Sequence, residues 1–367
     1  MRISQRKIRR KKRYNYLVRR TKRIQLSLRI LSERRSRLNQ KFLRLRYHKR
    51  KNERLENERL KWFSENQETL EAPRDFRLLS NTLECASFFK DLLDEKYAYS
   101  IPFEARKINI SLKNIEYIDF ASSLLLFAIC EELASRNCYI SGKVPIKNEC
   151  QKFLIESSFY VNKYNNKGEK INLITNSSQI MIIEKGGDMI TAENIYRFID
   201  IMERTGFHLV GTSSVDYKLH ISLLKEICGN SVEWGEVKNR KWFIGAKFEE
   251  GSVVFCALDL GVGILTSLER RLKNMACDLF QGRSDEEILC RVFDEYYGSK
   301  SKEPNRNQGL PFFKKLNSDN IIKDLQVVSN NDYICFDKNE RVRIGSSRSL
   351  FTGTLYSWRV DAECIKI

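Results

Sequence analysis

Charge is distributed so unevenly along these 367 residues that the first 62 cannot share a fold with the rest. Residues 1–62 hold 25 Lys and Arg against 4 Glu, a net +21, whereas the remainder holds 40 against 43, a net −3. The overall +18 therefore belongs to one segment, and the body is close to neutral. Such a density of like charge cannot be buried, so this segment must lie outside any core. It is nevertheless patterned. Leu17, Ile24, Leu31, Leu38 and Leu45 recur every seven residues, Leu28 and Phe42 begin a second row that Arg35 interrupts, and residues 13–62 contain no Pro or Gly. That spacing predicts an amphipathic helical extension over residues 1–66 with a narrow apolar seam.

The other faces of this extension carry Arg and Lys interleaved with Tyr14, Tyr16, Tyr47 and Trp62. Three partners suit it. Nucleic acid would offset the repulsion through phosphates, with Arg9, Arg10, Lys11, Lys12, Arg13, Arg19 and Arg20 as the candidate contacts. A second copy or another protein would cover the seam, making a homodimer. An anionic membrane surface attracts basic amphipathic helices as well.

Composition bounds the body. Hydrophobic content of 42% supports real cores, and the length suits two further domains. The ten cysteines show no C-x-x-C pair and no zinc-type Cys/His spacing; several sit in apolar runs, as Cys130, Cys138 and Cys256 do. This usage points to reduced thiols and a cytoplasmic location. The longest apolar run, Phe120 to Cys130, is too short to span a bilayer, so no transmembrane segment is expected. The N-terminus lacks the apolar stretch of a secretory signal.

Ser64 to Phe76 reads as a linker, and a module over 67–168 follows. Leu78 to Leu93 reads as helix, Lys107 to Leu112 alternates as a half-buried strand, Ala121 to Asn137 is helical, and Cys138 to Ser141 is strand-like. This rhythm predicts a small α/β unit.

The last part, 184–367, carries the chemistry. Glu226 and Asn230 are four apart, so on a helix from Tyr217 to Trp234 both leave one face. Asp259 follows the apolar run Val253 to Leu258 and leads into Gly261 and Gly263, as a strand would into a tight turn. A helix with Glu and Asn, beside a strand with Asp and bare backbone, suits an Mg-nucleotide. Asn230 supplies a hard oxygen for Mg²⁺, Glu226 a base for water, and Asp259 an acceptor for the adenine amine. The glycines permit close approach to base and sugar.

These elements resemble the GHKL ATPases (gyrase B, Hsp90, histidine kinase and MutL type). Glu226 to Asn230 matches the E-x-x-x-N box, and Asp259, Gly261 and Gly263 match D-x-G-x-G. After a variable lid of about 45 residues, Gly309 and Leu310 match the G-L end of the second glycine box, and Gly353-Thr354 matches the final Gly-Thr. The resemblance implies an α+β Bergerat-type sandwich that binds ATP and Mg²⁺ through Asn230, Asp259, Gly261, Gly263, Gly309, Leu310 and Thr354, with Asn230 as metal ligand and Glu226 as general base. The second glycine box is poor in glycine, with Asn307 and Gln308 beside Gly309, so ATP binding is a firmer expectation than rapid hydrolysis. Lys300 and Lys302 in the lid are phosphate candidates.

The 67–168 module resembles the STAS domain (sulphate transporter and anti-anti-sigma factor). The run Ile115 to Asp119 with Phe120 to Leu126 carries this resemblance, and Lys152 to Phe159 matches its terminal helix. The serine that anti-anti-sigma factors phosphorylate, two residues after the Asp, is Ala121 here. Ser122 and Ser123 fall late, and Ser122 reads better as a helix N-terminal residue bonding backbone N–H groups.

Neither His48, His208 nor His220 sits in the setting of a phosphoacceptor, which argues against a histidine kinase. The expectation is an intracellular ATP-binding, slowly hydrolysing switch that couples nucleotide state to dimerisation and nucleic-acid binding. Two other classes stay open: an anti-sigma-type serine/threonine kinase acting on a STAS partner, and a non-catalytic scaffold with a degenerate nucleotide site.

Overall fold

The computed structural model describes residues 69–94, 99–100, 106–157, 159, 181–187, 190–234, 241–271, 285–294, 309–330, 332–337, 340–343 and 351–365, with Lys22, Gln25, Leu26 and Arg54 before them. The chain divides into two compact units, 1–67 and 68–367. In the first unit the four described residues are helical. The heptad rows, and Arg9, Arg10, Lys11, Lys12, Arg13, Arg19 and Arg20, lie outside the described residues.

The second unit is a mixed α/β structure with two main sheets. In the small sheet the central strand β4 (Arg106–Ser111) pairs in parallel with β1 (Leu70–Glu71) and β6 (Cys138–Lys143), and antiparallel with β3 (Tyr99–Ser100). A short parallel pair joins β2 (Asp75–Phe76) to β5 (Tyr117–Ile118). The helices of this module are α1 (Thr82–Leu93), α2 (Phe120–Ser135) and α3 (Asn148–Glu156). The expected helix and strand positions hold with end shifts of a few residues, and α1 starts later than Leu78 because Arg77 to Ser80 form a turn; the stretch read as a linker, Ser64 to Phe76, instead supplies β1 and β2, because Leu70, Ala72 and Phe76 are buried in the core.

The large sheet has seven strands in the order β12-β11-β10-β13-β9-β8-β7, all neighbours antiparallel. They are β7 (Met181–Gly187), β8 (Lys241–Glu249), β9 (Ser252–Asp259), β10 (Lys323–Asn330), β11 (Asp332–Cys335), β12 (Glu340–Arg343) and β13 (Phe351–Asp361). One face carries α4 (Ala192–Val210), α5 (Lys218–Trp234), α6 (Ile264–Arg271), α7 (Asp285–Asp294) and α8 (Gly309–Ser318). Helix α4 is closed at both ends, by a Thr191/Asn194 capping box and by Gly211 in the left-handed region.

The other face of the large sheet is covered by the α/β module. Helix α2 packs both on β6 of its own sheet and on β8 and β9 of the large one. Phe127 meets Phe243 edge-on at 6.1 Å between ring centroids. Two buried sides explain why α2 is apolar almost all round, with Leu124, Leu125, Leu126, Ala128, Ile129 and Leu133 all inside. They also explain the unbroken run Val253 to Leu258. Val253, Phe255 and Ala257 point to the helices, while Cys256 and Leu258 join the module's core. The segments read as 67–168 and 184–367 thus share a core within one unit.

Among the described residues no helix is long and apolar enough to cross a membrane. The nine described cysteines are free thiols, eight of them buried.

Candidate functional site

Helix α5 begins after Asp216, whose side chain accepts the Lys218 N–H at 3.2 Å. Ile221, Leu224, Ile227 and Cys228 follow helical spacing and bury its inner face on the sheet. That anchoring leaves Glu226 and Asn230 one turn apart on α5, with Ser231, the next residue, reaching Asp259 at the end of β9. Glu226 is buried, and its Oε1 accepts the backbone N–H of Gly309 at 3.0 Å. Gly309 is the first residue of α8, so the E-x-x-x-N and second glycine elements touch directly. Leu310 packs against the helix-side core. The Asn230 carboxamide is half-buried and has no hydrogen-bond partner among the described residues.

Asp259 ends β9, opposite Thr354 of β13. Its Oδ1 accepts the Gly261 N–H at 2.7 Å, a side-chain turn that fixes the carboxylate over the chain reversal. Among the described residues its Oδ2 receives only a long contact, 3.5 Å, from the Ser231 hydroxyl on α5. Burial pushes the carboxyl up to about 6, and the Gly261 and Ser231 bonds offset only part of that shift. The group keeps partial solvent access at the strand end.

The glycines have reasons of their own. Gly263 has φ +82°, and a Cβ there would stand 2.4 Å from Asn330 Oδ1. Gly353 has φ +131°, and its Cβ would meet the Asp259 carbonyl oxygen at 2.2 Å. Both therefore serve close approach of protein to protein. For Gly263 this adds to the expected role of opening backbone to a ligand. It also means that the Gly-Thr pair and the Asp are locked together as one corner.

Two residues that the sequence did not single out complete this corner. The Ser329 hydroxyl accepts the Ile264 N–H at 2.9 Å and lies 3.3 Å from the Gly353 carbonyl, as a donor, and 3.4 Å from the Thr354 hydroxyl. Asn330 accepts the Leu265 N–H at 3.2 Å through Oδ1 and donates through Nδ2 to the Val262 carbonyl at 2.9 Å and the Thr266 hydroxyl at 3.1 Å. The first two N–H groups of α6 are thus capped from β10. A Ser-Asn pair closing an apolar strand was the only signal in the sequence.

The site brings together Glu226, Asp259, Gly261, Gly263, Gly309 and Thr354, with Asn230 one helical turn from Glu226. Lys300, Lys302, Asn307 and Gln308 lie outside the described residues. The two described histidines serve the fold. His220 Nε2 meets the Ile321 carbonyl at 3.0 Å, and His208 Nε2 the Glu249 carbonyl at 2.7 Å.

The arrangement offers a polar end at Asp259 for an amine donor and a hard carboxamide oxygen at Asn230. Among the described residues no group of three or more His, Cys, Asp or Glu could hold a metal by itself. A divalent ion at Asn230 would therefore draw its remaining ligands from phosphate oxygens and water, as Mg²⁺ does. Neither a family model nor a curated protein matches this chain, so its own residues carry the functional reading.

Proposed function

We propose that this chain is an intracellular Mg-ATP-binding switch of the GHKL type, slow to hydrolyse, whose nucleotide state governs dimerisation and nucleic-acid binding by residues 1–62. On this reading the seven-stranded sheet with its five helices is a Bergerat-type sandwich and the α/β module is STAS-like. The observation that carries it is the junction of four sequence-distant motifs at one corner. Glu226 bonds Gly309, Asp259 faces Thr354, and Ser231, next to Asn230, reaches Asp259.

In the bound state Asp259 Oδ2 accepts the adenine amine, and Asn230 offers its carboxamide oxygen to Mg²⁺. The bound ion supplies charge neutralisation of the phosphates. Glu226 orients the attacking water once its carboxylate leaves the Gly309 N–H. On this reading that prior engagement slows turnover. The same contact favours the second reading, binding without hydrolysis, because a base already holding a backbone donor is poorly placed to accept a proton. A kinase acting on its own module has less support. Ser122 accepts the Leu78 N–H, and Ser123 bonds Ser157, both fully inside.

The test is ATP binding by the full chain with and without Mg²⁺. Wild type binds in a Mg²⁺-dependent manner, and Asn230→Ala loses that binding while melting at the same temperature. Normal affinity in the variant would sink the site assignment. Single-turnover hydrolysis with Glu226→Gln then separates slow catalysis from pure binding.

A further inference from the structure

Helices α5 and α8 touch, and side chains of α5 bond the α8 segment at two places. In the first, His220 Nε2 meets the carbonyl of Ile321, just past the end of α8, at 3.0 Å. His220 is buried, and its Nδ1 has no hydrogen-bond partner among the described residues. A buried histidine with one nitrogen unmet carries a cost that an apolar residue would not, so the Ile321 bond is what this one serves. Phe313 and Leu316 are buried in the helix-side core and hold α8 on the sheet. The far end of α8 is thus pinned, and the pin sets Gly309 against Glu226 at the near end.

The second bond joins two groups of the candidate site. Gly309 has φ +64°, a conformation that favours glycine, and opens α8, so its N–H is one of the donors that a helix leaves unused at its start. That N–H goes to Oε1 of the buried Glu226 at 3.0 Å. A carboxylate on a helix-start amide is a strong pairing where water is scarce. Yet one N–H serves one strong acceptor at a time. Without ligand, the base and the amide are spent on each other.

We propose that the Glu226–Gly309 bond is an autoinhibitory latch, in which a phosphate oxygen of the ligand must displace the carboxylate from the amide before the base is free to act on water. This rests on the nucleotide reading above and adds the regulation of that site. While latched, the carboxylate both occupies the donor and repels the incoming phosphate. The latch therefore lowers affinity for phosphate-bearing ligands and leaves the base-recognising end untouched.

The test is titration of the full chain with Mg-ATP and, separately, with adenosine. Glu226→Ala removes the latch, so it should bind Mg-ATP about five- to ten-fold more tightly than wild type, with adenosine affinity unchanged. A residue acting only as a base for water would leave Mg-ATP affinity level. Glu226→Gln keeps an acceptor without the charge and should tighten Mg-ATP by a smaller factor; it carries the test if the alanine protein fails to fold. Unchanged or weaker Mg-ATP binding in the folded variants overturns the latch, and so does an equal gain for adenosine. If wild type binds no ATP, the nucleotide reading falls and takes this one with it. A wild type that binds ATP beside variants that bind it no better removes this inference alone.

Discussion

Two aspartates end strands in this molecule, each just before a helix or turn, and they are used in opposite ways. Asp119 follows β5 and caps α2. Its Oδ1 accepts the Ser122 N–H at 2.7 Å and its Oδ2 the Leu79 N–H at 3.0 Å, while Ser122 Oγ takes the Leu78 N–H at 2.8 Å. Each carboxylate oxygen is held by a backbone N–H at 3.0 Å or less. Asp259 has the same kind of place but holds one backbone N–H firmly, leaving Oδ2 with a single 3.5 Å hydroxyl. Burial raises both carboxyls above their ordinary range. A shifted carboxyl is therefore no mark of function by itself. Unspent hydrogen-bonding capacity at an opening is what separates the candidate site from the structural cap.

The sharpest way to break this contrast is Asp119→Ala. It strands the partly buried Leu79 and Ser122 N–H groups and removes the cap of the helix shared by both sheets, so urea denaturation should show a loss of about 3 kcal/mol. A loss below about 1 kcal/mol would mean the cap is ornamental. Next comes Asp259→Asn, which places an amide donor where an acceptor is needed. ATP affinity should fall about a hundred-fold, or roughly 2.7 kcal/mol, with the fold intact by circular dichroism.

The pH dependence sharpens the contrast further. ATP binding needs the Asp259 carboxylate ionised, and with its carboxyl near 6 the affinity should fall about ten-fold between pH 7 and pH 5. Asp259→Asn should flatten that profile. The smallest effect is on stability. A carboxyl raised in the folded state favours folding below its unfolded value and loses that contribution as pH rises through about 6. At pH 7.5 Asp259→Asn should thus be more stable than wild type by about 1 kcal/mol. The gain is less than full burial gives, because the strand end opens to solvent. It should vanish at pH 3.5; a variant less stable at pH 7.5 would show that Asp259 is also a structural aspartate.

Much of the fold was legible because it is local. The alternation in Lys107 to Leu112 and the helical spacing in Tyr217 to Trp234 each reappear within a few residues of their expected ends. Other features depend on partners distant in the chain. Nothing in Phe120 to Leu133 tells a reader that both its sides are buried against different sheets. Nor does Ser329-Asn330 announce that it caps a helix starting 65 residues earlier.

By itself the sequence determined the charge-segregated extension, the helix carrying Glu226 and Asn230, and the strand and turn of Asp259 to Gly263. These follow from spacing and residue chemistry along a few turns of chain. Only the tertiary structure decided which hydrogen bonds those groups spend on the protein. It set Glu226 on the Gly309 amide and left Asp259 half-engaged. The reason is physical: a side chain's remaining capacity to bind a ligand is what is left after packing, and packing is settled by neighbours far away in sequence.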